Sequence, residues 1–211
     1  MSTSEFGYIE SPEQSSFNNK GIFTPTDIYN LDRDDKWTQF GQLELIQTQT
    51  VSSAVCDFTN LNINKYKLHF FTFMDIRFGS QTEFGYRLSD DEGTSYETGY
   101  YFATKRVDSA NNGSNRTSTG QDTARLFGDI DSSVDSAGNG YMYLSHAGDS
   151  TKYTFSTSHF AFSDNADRGA IEYGGQMYNR TSQITAIRFG AGTALGTMTN
   201  ATISLYGVRS Y

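Results

Sequence analysis

Short runs in which apolar and polar residues alternate follow one another from residue 43 to the end of the chain. In Tyr66-Lys67-Leu68-His69-Phe70, for example, every second side chain is large and apolar. This period of two is typical of a β-strand that buries one of its faces. About eight to eleven strands are predicted in this way. They fall within residues 43–50, 53–58, 66–70, 84–88, 100–104, 124–127, 141–145, 153–162, 171–178, 183–189 and 198–208.

Segments rich in Gly, Asn and Asp separate these runs and predict the turns. Residues 89–94 (SDDEGT) indicate a tight acidic turn in which Gly93 takes a positive φ. Residues 109–121 and 131–140 are polar and of low complexity, and we expect them to form surface loops. No stretch of useful length has the helical period. The pattern therefore predicts an all-β protein, a jelly-roll-like antiparallel β-sandwich.

Residues 1–40 differ from the rest, because they are polar, contain both prolines (Pro12 and Pro25) and show no sustained period. Thr26 could cap one or two helical turns that follow it. The stretch carries more large apolar residues than a flexible tail needs, so we expect an extended N-terminal arm that docks onto a partner, ahead of a sandwich domain over residues 41–211. The proposed docking residues are Ile22, Phe23, Ile28, Tyr29, Leu31 and Trp37. A flexible tail with incidental aromatic residues is the alternative.

Composition and charge narrow the function further. The 16 Phe, 14 Tyr and 20 Gly suit pleated strands and their turns, in agreement with the alternation. The net charge of -8 and the lack of a Lys/Arg cluster argue against nucleic acid as a partner. No apolar run approaches the roughly 20 residues of a membrane span, and the N-terminus does not have the pattern of a signal peptide. We therefore expect a soluble protein made in a cytoplasm.

The residues that most often carry chemistry form no recognisable set. His69, His146 and His159 fall on three different predicted strands, without the spacing of a zinc site. Acidic residues gather near 90–92, 129–135 and 164–167, but they match no calcium-binding loop, and turns that carry solvated acidic residues explain them better than a calcium site. Cys56 is the single cysteine, so it forms no intrachain disulfide, and we expect a small buried side chain. We predict no catalytic, metal or cofactor-binding residues, and a protein that is not an enzyme.

Several segments resemble modules of tailed-bacteriophage virion proteins, in particular those of marine and freshwater phage particles. The segments are GIFTP (21–25), DRDDKW (32–37), LIQTQTV (45–51), YKL (66–68), RLSDDEGTSY (87–96), ITAIRF (184–189) and ISLYGV (203–208). The resemblance spans nearly the whole chain. The resemblance implies a role in the virion and a jelly-roll-like β fold. It does not point to a set of catalytic residues. The long shaft of a tail fibre is missing from this sequence.

Two functions follow from the resemblance and the arm. The first is a capsid decoration (cement) protein, or another small accessory subunit, whose arm docks onto the major capsid protein or another virion protein. Such a subunit would be located in the virion after synthesis in the host cytoplasm and would form a homo-oligomer, such as a trimer. The alternative is a tail-associated module that binds a host receptor or surface glycan, with Tyr96, Tyr100 and Tyr101 as candidate glycan contacts. A polysaccharide depolymerase is a third reading, although such enzymes usually have a longer chain.

Overall fold

A computed structural model of the protein describes residues 14–15, 18–19, 24–33, 43–132 and 137–208. The chain divides into two units, Met1–Gln42 and Leu43–Tyr211. Strands β1 (Gln14–Ser15) and β2 (Asn18–Asn19) of the first unit pair as an antiparallel hairpin, and helix α1 (Pro25–Arg33) follows. The helix begins one residue before Thr26, the predicted N-cap, because the fixed φ of a proline suits the first helical position.

The proposed docking residues of the arm are only partly covered by the structure. Tyr29 lies on α1 with 67% of its surface exposed. Ile28 and Leu31 belong to the same helix, but their side chains are outside the described part. Ile22, Phe23 and Trp37 lie outside the described residues altogether. The docking role of these residues stays a prediction.

In the described part of the second unit, twelve strands form two antiparallel sheets. The large sheet has eight strands in the order β3-β14-β5-β10-β11-β12-β7-β8, and the small sheet has four in the order β4-β13-β6-β9. The strands are β3 (Leu43–Val51), β4 (Cys56–Phe58), β5 (Leu68–Arg77), β6 (Thr82–Ser89), β7 (Tyr100–Asp108), β8 (Gly113–Gln121), β9 (Ala124–Ile130), β10 (Gly138–Ser145), β11 (Thr154–Ser163), β12 (Gly169–Tyr178), β13 (Ala186–Ala191) and β14 (Asn200–Val208).

Phenylalanine rings from both sheets form the centre of the core. Phe73 of β5 lies 5.1 Å from Phe189 of β13 and 5.6 Å from Phe84 of β6, measured between ring centroids. Phe160 of β11 lies 4.8 Å from Phe127 of β9 in the same way. All five rings are at most 1% exposed. The predicted antiparallel β-sandwich is therefore confirmed, since one face of each sheet is buried against the other.

The predicted turn at 89–94 and the predicted loop at 109–121 had different outcomes. Gly93 has a φ of 87° in the turn after β6, as the sequence predicts. The predicted loop at 109–121 is wrong over most of its length, because Gly113–Gln121 is strand β8 at the edge of the large sheet. An edge strand that is exposed on both faces needs no apolar residues, so this one lacks the alternation that marks the others.

The eight-stranded sheet has a second face that is turned away from the small sheet. Its side chains alternate with the buried ones, most clearly along β11, where Phe160 and Phe162 are buried while Phe155, Thr157 and His159 are exposed. We call this surface the open face. Antiparallel sheets often present one face to solvent, and that face is usually polar. On the open face, by contrast, many of the side chains are aromatic.

Candidate ligand-binding site

The strand registers place side chains of the open face in rows that run across the sheet. One row consists of Leu45, Tyr206, Phe70, Tyr143, Thr157, Gly175, Ala103 and Thr117. The next row consists of Thr48, Ser204, Thr72, Tyr141, His159, Tyr173, Lys105 and Asn115. Each row crosses all eight strands, so a ligand that lies across the sheet meets one residue from every strand.

Six rings in these rows touch one another in a continuous series across five neighbouring strands. We call this series the aromatic ladder; its members are Tyr206, Phe70, Tyr143, Tyr141, His159 and Tyr173. Centroid distances between successive contacting rings range from 4.7 Å for Phe70 and Tyr143 to 6.1 Å for His159 and Tyr173. Tyr141, Tyr143 and Tyr173 are 41%, 38% and 46% exposed. Contiguous exposed apolar surface of this kind marks an interaction site.

Two depressions lie side by side on the open face. The first, of about 600 Å³, is lined by four ladder residues (Tyr141, Tyr143, His159 and Tyr173) together with Thr157 and Ile171. The second, of about 750 Å³, lies over Gly175 and Ala103 and is bordered by Tyr101, Phe155 and Met177. We call the second depression the trough. Thr157 lines both depressions, so together they form one path across the sheet. Aromatic walls with a few polar groups are typical of ligand-binding sites.

The open face also differs from the rest of the protein in charge. The sequence has 24 acidic residues, yet neither of the two rows contains a carboxylate. Lys105 is the only Lys or Arg in the rows, and its ammonium group reaches toward Gly113 at the start of β8. The surface around the two depressions is therefore close to neutral on a molecule with a net charge of -8.

Buried polar side chains hold the strands that carry this surface. On the inner side of β11 and β12, the Ser156 hydroxyl is 2.8 Å from the Tyr86 hydroxyl of the small sheet and also bonds Gln176. The Gln176 amide donates to the carbonyl of Arg125 at 2.9 Å and to the hydroxyl of Ser158 at 3.1 Å. These hydrogen bonds tie the floor of the trough to the small sheet, and a satisfied buried network makes such a floor rigid.

Beside this network lies a buried carboxylate. Glu172 of β12 is fully buried, and it accepts hydrogen bonds from the Thr104 hydroxyl at 2.6 Å and from the Gly128 N–H at 3.2 Å. The guanidinium Nε of Arg125 is 3.8 Å away. Burial nevertheless raises the pKa of Glu172, because it disfavours the charged form more than these neighbours favour it. Its place inside the sandwich gives it a structural role.

The structure separates the three tyrosines that the sequence proposed as glycan contacts. Tyr101 borders the trough on the open face. Tyr100, its neighbour in the chain, points into the core, where it is fully buried and accepts a hydrogen bond from the Leu88 N–H at 2.6 Å. The proposal for Tyr100 is therefore wrong, and burial holds its pKa well above the usual range. Tyr96 lies in the loop after β6, where its ring covers Arg188 and its hydroxyl donates to Asp57.

In each of the three acidic groups considered as calcium ligands, one carboxylate is engaged by the protein itself. Asp164 accepts a hydrogen bond from Arg106 at 2.5 Å, and Asp129 pairs with both Arg106 and Arg116. Asp91 caps its turn through the N–H and hydroxyl of Ser95, and these hydrogen bonds lower its pKa to about 2. Within the described ranges, no group of three or more His, Cys, Asp or Glu residues could hold a metal ion.

Cys56 matches its prediction as a small buried residue. It is fully buried on β4, where burial and the nearby Asp57 raise the pKa of its thiol to about 12. A thiol of this kind does not form the reactive thiolate at neutral pH. Its position is explained by packing.

Most residues of the site were not predicted from the sequence. The missed residues of the ladder and trough are Phe70, Tyr141, Tyr143, Phe155, His159, Tyr173, Gly175 and Tyr206. One signal was present: in Tyr141-Met142-Tyr143-Leu144 both alternating positions are apolar, which indicates a strand with apolar side chains on two faces. Met142 and Leu144 are buried, so the tyrosines occupy the open face.

Comparison of the chain with protein-family models, with curated proteins and with solved structures finds no match. Among the helices that the structure describes, none is long and apolar enough to cross a membrane. The proposed function is therefore based on the geometry and chemistry of the open face.

Proposed function

We propose that this protein is a binding subunit of a bacteriophage particle and that its open face attaches to a glycan on the host surface. The observation that carries the binding role is the aromatic ladder, six contacting rings on an exposed and nearly uncharged sheet face. The resemblance of the sequence to tailed-phage virion proteins supports the particle context. This proposal favours the glycan-binding alternative over a purely architectural decoration role.

The chemistry of a sugar ring fits this surface. A pyranose presents C–H groups on its two faces, which pack against the electron-rich face of an aromatic ring, while its rim hydroxyls need hydrogen-bond partners. Tyrosine offers both an apolar ring and a hydroxyl at little cost in side-chain entropy. Contacts with neighbouring rings limit the rotamers of Tyr141 and Tyr143 further, so the surface is preorganised for a ligand.

Binding to an array of bacterial and synthetic glycans tests this function. We expect the protein to bind a subset of the array, and we expect Tyr143→Ala and Tyr173→Ala each to raise the Kd by about tenfold or more. Tyr153→Ala is the matched control, because Tyr153 is 43% exposed but lies outside the ladder and both depressions. Each variant should keep the Tm of the wild type within a few degrees.

Two results would overturn the glycan-binding proposal. One is a wild-type protein that binds no glycan on the array or on host cells. The other is a wild-type protein that self-associates in sedimentation experiments and becomes monomeric in Tyr173→Ala, which would make the ladder an interface between copies of this chain. In either case the exposed rings would serve a different partner.

The location of the protein on the particle has a separate test. Immunogold labelling of intact particles distinguishes a head-associated decoration protein from a tail-associated module. We also expect deletion of residues 1–40 to abolish incorporation into particles, while leaving residues 41–211 folded. If the truncated protein is still incorporated, the docking role of the arm is wrong.

A further inference from the structure

The trough has a floor made of two small residues between taller walls. Gly175 of β12 and Ala103 of β7 are cross-strand partners in the floor. Phe155, Met177 and Tyr101 pair with one another across β11, β12 and β7 and form one wall. Tyr173, two residues before Gly175 on the same strand, lines the neighbouring depression. A ring-sized ligand can therefore sit beside aromatic side chains and reach the backbone of the sheet.

Gly175 is not required by the fold, in contrast to its neighbour. A Cβ atom at Gly174 would overlap the carbonyl oxygen of Ala103 and the backbone of Thr104, so packing explains that glycine. A Cβ atom at Gly175 would meet only the carbonyl oxygen of Ser156, at the ordinary contact distance of 3.6 Å. Gly175 is also not among the described residues with a positive φ. Glycine in a strand interior often marks a place where a ligand approaches the backbone.

The lining of the trough points to an uncharged ligand. Its walls offer the aromatic rings of Phe155 and Tyr101, the thioether of Met177 and the hydroxyls of Thr157 and Thr117. Among the residues that line it there is no Asp, Glu, Lys or Arg. An anionic sugar would find no basic side chain among these lining residues, and the net charge of -8 would repel it at longer range.

From these observations we infer that the trough over Gly175 is the specificity-determining subsite for a neutral sugar ring, in a glycan that lies across the strands from the aromatic ladder. This inference rests on the proposed glycan-binding function and adds the ligand class and the residue that admits it. The ladder supplies stacking surface for the glycan chain, and the trough selects the ring that fits over Gly175 beside the wall of Phe155, Met177 and Tyr101. The buried hydrogen bonds of Ser156 and Gln176 keep the floor of this subsite fixed.

A graded series at position 175 tests the subsite. Gly175→Ala and Gly175→Val add one and three carbon atoms at this position, and the Cβ atom that both variants share meets only the Ser156 carbonyl oxygen, at 3.6 Å. We expect the Kd for the bound glycan to rise a few-fold in Gly175→Ala and by about tenfold or more in Gly175→Val. Ala161→Val is the matched control, because Ala161 is exposed on β11 but does not line the trough, and its Kd should stay within about twofold of the wild type.

The probes are neutral hexasaccharides of glucose, mannose and galactose, with oligogalacturonate as the anionic arm, each titrated by calorimetry alongside the best ligand of the array. Binding of a neutral probe that weakens in the order wild type, Gly175→Ala, Gly175→Val supports the inference. Preference for oligogalacturonate overturns the ligand class. Binding that weakens in Tyr143→Ala but is unchanged in Gly175→Val overturns the subsite and leaves the proposed function standing. A wild-type protein that binds no glycan overturns both.

Discussion

Arg188 of β13 and Asp57 of β4 face each other across paired strands and form a two-pronged ion pair, in which Nε and Nη2 are each 2.6 Å from a carboxylate oxygen. The guanidinium carbon also lies 4.2 Å from the centroid of the Tyr96 ring. The hydrogen bonds to Asp57 raise the pKa of Arg188. Strand β4 has three residues and a single neighbour in the small sheet, so this cluster holds a short edge strand in place.

Replacing Arg188 by methionine should destabilise the protein measurably. The loss of two charge-assisted hydrogen bonds and the stacking on Tyr96 should lower the free energy of unfolding by about 1–2 kcal/mol. Arg180→Met is the matched control, because Arg180 is largely exposed and 3.7 Å from Glu97, and its loss should cost less than about 0.5 kcal/mol. Urea unfolding measures both. Equal effects of the two substitutions would contradict the structural role of the cluster.

Glu172 should make the stability of the protein depend on pH. Its folded-state pKa lies above the ordinary value of 4.5, so its contribution to stability is full below that value and is lost as the pH rises through the folded-state pKa. Glu172→Gln keeps the shape and can still accept from the Gly128 N–H. We therefore expect the wild type to lose stability relative to Glu172→Gln as the pH rises from 4.5 to neutrality. Unfolding titrations at several pH values measure this, and a difference that does not change with pH would refute it.

Gly207 and Tyr66 should show strong coupling. A Cβ atom at Gly207 would overlap the ring of Tyr66, which is 3% exposed and is held by the hydrogen bond that its hydroxyl donates to Glu44. Gly207→Ala should therefore cost about 1–3 kcal/mol. Tyr66→Ala removes the obstacle, so the double variant should lose less stability than the sum of the two single variants. Additive effects in a double-mutant cycle would show that the ring can move aside.

The sequence predicted most of the sandwich because buried strands leave a clear alternation. Phe160 to Phe162 show it, and the structure places Phe160 and Phe162 in the core. In Tyr66 to Phe70 the alternation marks the strand but not its buried face, because His69 is fully buried and Phe70 lies on the open face. Strand β8 was not predicted because its side chains are largely exposed on both faces, and such a strand does not need an apolar residue at every second position. Strand β5 was predicted too short for the opposite reason, since His69-Phe70-Phe71-Thr72-Phe73 contains apolar residues on both faces and the alternation breaks down.

The binding face could not be predicted because it depends on which face the small sheet covers. Tyr100 and Tyr101 are adjacent aromatic residues, and the sequence does not indicate which of them enters the core. The strand register decides this, placing Tyr101 opposite Met177 on the open face and Tyr100 opposite the buried Tyr178. The trough depends in addition on Gly175 and Ala103 becoming cross-strand neighbours, although they are far apart in the chain.

Strand β8, which ends the large sheet, carries Arg116 on its inner side, where the guanidinium pairs with Asp129 and is 17% exposed. An incoming strand from another molecule would extend the sheet at this edge and would have to enclose that charge, which is unfavourable. The residues on either side of Arg116 in β8 are Ser, Thr, Asn and Gly, so this edge presents no apolar side chains to another molecule. Edge-to-edge pairing is therefore disfavoured at β8 when many copies are crowded together, and the aromatic face can remain exposed without the sheet polymerising from this edge.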